Sequence, residues 1–100
     1  MAEINWTAEA EQWLQDIYDY IAQDKPDAAA NVIAGLYAKV QILRDFPEMG
    51  YSYSKECEGE VRILLYGHYR IAYLIKSADC IDILGIFHGS LDIGRFLLFK

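Results

Sequence analysis

Near the middle of the sequence the spacing of apolar residues switches from helical to strand-like, and few folds accommodate that switch. Ala10, Trp13, Leu14, Ile17, Tyr18 and Ile21 recur at alternating steps of three and one, which makes one face of a helix. Thr7 precedes this stripe as an N-cap, with Glu9 and Glu11 near the positive helix end. A second stripe, Ala29, Ile33, Leu36, Val40 and Leu43, begins behind Pro26, which is welcome only in a first helical turn, and Pro47 and Gly50 end it. The short link between the stripes predicts an antiparallel helical hairpin. From residue 61 the period becomes two: Val61, Ile63 and Leu65 alternate with Arg62, Leu64 and Tyr66. Gly67-His68 has the form of a type II′ hairpin turn, and strands follow over Tyr69–Lys76 and Cys80–His88, with Ile81, Ile83 and Phe87 expected on one face. Glu3–Trp6 alternates as a short N-terminal strand, residues 51–60 read as a loop, and Ser90–Lys100 reads as a short C-terminal helix. The expected fold is α+β in a single domain over residues 1–100: strand, helical hairpin, three-stranded antiparallel meander, C-terminal helix.

Charge narrows the function classes. The formal net charge is −6, and residues 1–50 hold nine acids against three bases, whereas residues 51–100 hold six of each. That sign argues against broad nonspecific nucleic-acid binding, though a local basic site in the second half stays open. Cys57 and Cys80 stand far apart with no CxxC, so neither a zinc site nor a disulfide framework is expected, and both read as free thiols. No signal peptide and no membrane span is read, so the expected location is the cytoplasm.

No GxSxG, HExxH, P-loop or dinucleotide fingerprint occurs, and no cofactor or metal is expected. His88 ends the last strand, where a working residue is often placed; the residues alone favour a structural histidine that caps the strand or bonds a nearby carboxylate. Arg62 and Arg70 fall on neighbouring strands and could form a phosphate-binding patch, with Arg95 in the C-terminal stretch as a further candidate base; the pair equally suits ordinary pairing with Glu58, Glu60 or Asp82. Phe96, Leu97, Leu98 and Phe99 cannot all face one core from one short helix, so either the tail packs on the sheet or a partner covers part of it.

Taken together, Trp6–Ala10, Asp16–Ala22 with Pro26, Leu43–Gly50, Tyr66–Tyr73 and Ile83–Gly89 resemble, in this order, the RelE/ParE toxins, the toxic partners of bacterial type II toxin–antitoxin pairs. The resemblance is nearer the ParE-like branch. It implies a plasmid-stabilising toxin that inhibits DNA gyrase without a catalytic set, neutralised in a hetero-oligomer by a cognate antitoxin that would cover Phe96, Leu97 and Phe99. The alternative it implies is a RelE-like, metal-independent endoribonuclease acting on messenger RNA in the ribosome, with Arg70 on the phosphate and His88 as acid or base. Against that alternative, Val61 and Ile63 stand where paired lysines are expected, and Ser90-Leu91 follow Gly89 where a basic residue is expected.

Overall fold

The computed structural model of the protein describes residues 2–89. Strand β1 (Glu3–Trp6) leads into helices α1 (Ala8–Ala22) and α2 (Pro26–Gln41), a 3-10 turn (Ile42–Arg44), and strands β2 (Tyr51–Glu56), β3 (Gly59–Tyr66), β4 (Tyr69–Ser77) and β5 (Cys80–His88). The five strands form one sheet in the order β1-β5-β4-β3-β2. β2 to β5 are successive antiparallel neighbours, whereas β1 runs parallel to β5. The α+β class, the N-terminal strand and the two helices stand as expected.

Three expectations are corrected or left outside. Tyr51–Glu56 is a strand rather than a loop, so the meander has four strands and the sheet five. Its sequence, Tyr-Ser-Tyr-Ser-Lys-Glu, alternates aromatic with hydroxyl residues over four positions only and buries none of them, which is how the loop reading missed an exposed edge strand. Phe87 does not share a face with Ile81 and Ile83. Those two lie opposite Ile75 and Tyr73, but a bulge at Leu84 shifts the register, so that Ile86 faces Ile71 and Phe87 faces Arg70. The C-terminal helix, with Arg95, Phe96, Leu97 and Phe99, lies outside the described residues.

Local chemistry explains the elements. Thr7 caps α1 by accepting a hydrogen bond from the Ala10 amide at 3.1 Å, and its hydroxyl donates to the Ile83 carbonyl at 2.6 Å, tying helix start to β5. Pro26 opens α2 at N1, where its missing N–H costs nothing. Gly67 has φ +57, as the first centre of a type II′ turn requires, and among the described residues positive φ occurs only at glycine. The main core joins Leu14 of α1 and Leu36 and Val40 of α2 to Leu64, Ile71, Tyr73, Ile81, Ile83 and Ile86 of the sheet. A second cluster, Ile63, Ala72 and Phe87, gathers around Trp13, whose ring meets Phe87 edge-on at 4.7 Å.

Candidate functional site

Two places gather the polar side chains singled out by sequence. The first is a cleft at the sheet end where the β3–β4 turn meets the end of β5. It encloses about 380 Å³ and is lined by Leu65, Gly67, His68, Tyr69, Arg70, His88 and Gly89. The Gly89 amide donates to the His68 carbonyl at 2.7 Å, and Arg70 Nη2 donates to the Gly89 carbonyl at 3.0 Å, which fastens strand end to turn. His88 is exposed, stacks at 6.2 Å on His68 and meets Tyr69 edge-on at 6.0 Å. Burial, with Tyr20 a lesser contributor, pushes the Tyr69 hydroxyl above its ordinary range.

Sharing this cleft does not aim Arg70 and His88 at one point. His88 lies opposite Tyr69 and Arg70 opposite Phe87, and consecutive residues of a strand send their side chains to opposite faces. The two side chains therefore leave opposite faces of the sheet, although both line the cleft at its end. Among the described residues no carboxylate lines the cleft.

The second place holds Arg62. Its Nε donates to the Gly50 carbonyl at 2.8 Å, Nη2 to the Glu48 carbonyl at 3.2 Å, and Nη1 to Glu60 Oε2 at 3.1 Å. Beside it the buried Tyr73 hydroxyl accepts from the Gly50 amide at 3.0 Å and donates to the Pro47 carbonyl at 2.7 Å. Gly50 is thus gripped through both its amide and its carbonyl. It must be glycine, because an added Cβ would stand 2.5 Å from the Ile63 carbonyl oxygen and 2.9 Å from the Tyr73 ring. Burial raises the Tyr73 hydroxyl above its ordinary range, whereas the Ser52 hydroxyl, followed by Arg62, holds the Glu60 carboxylate below its own.

The structure therefore separates Arg62 from Arg70. Arg62 lies opposite Tyr73 and Arg70 opposite Leu65, on different faces of the sheet. Arg62 takes the structural pairing with Glu60 that its sequence also allowed, while Asp82 pairs with Lys76 at 3.3 Å. Sequence reasoning read Tyr73 as a sheet-packing residue and missed the role of its hydroxyl. Its alternation in β4 marked it as core, and nothing local shows that its hydroxyl meets a loop 23 to 26 positions earlier. Cys57 and Cys80 are free thiols. Among the described residues no group of three or more His, Cys, Asp or Glu could hold a metal, and no helix is long and apolar enough to cross a membrane.

Comparison with known proteins gives this architecture its context. Of the curated proteins, one from Sinorhizobium fredii, named there as a candidate toxin, Y4kP, is 43% identical over 47 residues. That stretch covers 47% of this chain and 49% of the relative, so the chain spans about half the length of the curated protein it matches. A chain from the solved structure of the chromosomal ParDE toxin–antitoxin system from P. aeruginosa superposes with a TM-score of 0.73 at 25% identity, over 88% of this chain and 96% of that one. The sequence pattern described as "ParE toxin of type II toxin-antitoxin system, parDE" matches residues 4–93, from β1 through the whole helical hairpin and sheet. A match of that extent places the chain in the ParE toxin family of type II toxin–antitoxin systems, within the RelE/ParE superfamily.

Proposed function

We propose that this ParE toxin acts by inhibiting DNA gyrase through a binding surface, without a chemical step of its own, and that a ParD-type antitoxin neutralises it in a hetero-oligomer. The observation that carries the first half is the divergence of the two residues on which a nuclease would depend. A general acid or base must come within about 3 Å of the atom it serves. Arg70 and His88 leave opposite faces of the sheet. Arg62 cannot complete a phosphate clamp with Arg70, because its donors hold Gly50, Glu48 and Glu60. Arg70 and the exposed Leu65 beside it on the same face are the residues we assign to target contact. The antitoxin supports itself on the family and on the ParDE assembly of the structural relative. Phe96, Leu97 and Phe99 are assigned to its contact on apolar sequence alone, and Arg95 to target contact on charge alone.

The test uses purified toxin with gyrase, plasmid DNA and ATP, beside a parallel reaction of translating ribosomes with a defined message. Intact message, with inhibition of supercoiling that Arg70→Ala weakens and the folded His88→Ala variant retains, is the expected result. Cleaved message with loss of cleavage in that variant would overturn the proposal in favour of the ribonuclease. Pulse labelling after controlled expression gives the cellular counterpart: DNA synthesis should fall before protein synthesis.

A further inference from the structure

The sequence holds two histidines, and the fold brings both to one end of the sheet. His68 lies in the β3–β4 turn and His88 closes β5. No local spacing announces the pair. It exists because β4 and β5 set His88 opposite Tyr69, the neighbour of His68. The backbone around both is fastened. The Gly89 amide donates to the His68 carbonyl at 2.7 Å, and Arg70 donates to the Gly89 carbonyl at 3.0 Å. The turn and the strand end therefore hold their separation without help from either imidazole.

The ring centroids stand 6.2 Å apart with planes 20° from parallel. An ion shared by two imidazoles, with metal–nitrogen bonds of about 2.0–2.1 Å, needs centroids roughly 5–6 Å apart. Both histidines are exposed, so small turns of the side-chain torsions bring a nitrogen of each to one point, and solvent reaches that point. Tyr69 stands edge-on to His88 at 6.0 Å and limits how far that ring can swing away. The thiols lie elsewhere: Cys80 opens the nine-residue β5 that His88 closes, roughly 25 Å off, and Cys57 precedes the start of β3, not its end. A net charge of −6 draws cations toward the chain as a whole.

We propose that His68 and His88 form a two-imidazole site for a late first-row divalent cation of the Zn2+ class. Two nitrogen donors suit Zn2+, Ni2+ or Cu2+, and offer nothing to Mg2+ or Ca2+, which take oxygen. Resident structural or catalytic zinc has three or four protein ligands, so this site is an open one, its remaining positions filled by water and its ion exchangeable. A bound ion clips the end of β5 to the β3–β4 turn. Neither gyrase nor antitoxin is needed for binding, so this site and the gyrase reading fail separately.

The experiment titrates the full chain with Zn2+ alone, followed by nitrogen NMR of the imidazoles and by thermal unfolding. Both imidazoles should shift together and saturate at one ion per chain, and the melting temperature should rise. Mg2+ at the same concentration should move neither. His68→Asn and His88→Asn should each weaken binding about tenfold or more and abolish the rise in melting temperature, whereas Cys57→Ser/Cys80→Ser should keep both. Unchanged affinity in either histidine variant, a shift at one imidazole only, or loss of binding with the cysteines would overturn the proposal. So would sedimentation showing two chains held by each ion, since the histidines would then be bridging molecules and not chelating within one.

Discussion

Replacing Tyr73 by phenylalanine isolates one hydroxyl, because the ring stays in the core and no cavity opens. The hydroxyl takes the Gly50 amide proton at 3.0 Å and gives its own to the Pro47 carbonyl at 2.7 Å. Gly50 is buried, so its abandoned N–H keeps the desolvation penalty of an unpaired donor, about 1–3 kcal/mol. Pro47 is half-buried and its carbonyl can turn to water, so that loss belongs at the low end of a net hydrogen bond, about 0.5–1 kcal/mol. Together they amount to about 1.5–4 kcal/mol. A domain of this length has on the order of 5–10 kcal/mol in all, so the variant should fold with its margin visibly cut. Urea unfolding followed by circular dichroism measures this directly. With a slope of about 1.5 kcal/mol/M the midpoint should fall by about 1–2.7 M at unchanged slope. Exchange at the Gly50 amide should accelerate well beyond that of core amides. A loss under about 0.5 kcal/mol would refute the reasoning, since it would mean water replaces the hydroxyl at no cost. A cycle with Arg62→Met adds a check: both side chains grip Gly50, so the two losses should fail to add by about 0.5–1 kcal/mol, and strict additivity would mean that they hold the loop independently.

Other expectations follow from the same contacts. Thr7→Ala removes both the α1 cap and the tie to Ile83 and should cost about 1–2 kcal/mol in urea unfolding, whereas Thr7→Ser should restore most of it. Gly50→Ala should destabilise more than Tyr73→Phe, because its Cβ would press on Ile63 backbone that cannot swing aside; equal stability in thermal unfolding would contradict the close approach. The raised Tyr73 value has a defined sign: the folded state prefers the neutral hydroxyl, so that contribution is whole below the ordinary value of 10.0 and lost as pH rises through the folded value. Wild type should therefore lose stability above that range more steeply than Tyr73→Phe, in paired alkaline melts. Glu60 shifts the other way. Its carboxylate should titrate below the ordinary 4.5 by carbon-detected NMR, and Ser52→Ala, removing the largest cause, should move it back up.

What the sequence determined by itself is the set of decisions made within a few neighbouring residues. The three-four spacing from Ala10 to Leu43 made two helices, because residues so spaced share one face; Thr7 and Pro26 fixed their starts. Alternation from Val61 to His88 made three of the strands, and Gly67 supplied the backbone turn between two of them. The order of these parts also sufficed to suggest the family.

Tertiary structure decided what depends on distant partners. β2 became a strand because β3 offered hydrogen bonds, not because Tyr51–Glu56 had a face to bury. β1 joined β5 in parallel across some 77 positions, a pairing no local period encodes. One extra residue at Leu84 turned Phe87 away from Ile81 and Ile83, since a period of two inverts with every insertion. The candidate site divided along the same line. The sequence could name Arg62, Arg70 and His88, because charged and titratable side chains are visible in any alphabet. Only the folded sheet could spend Arg62 on Gly50 and set Arg70 and His88 on opposite faces, because strand register, not composition, decides where a side chain points.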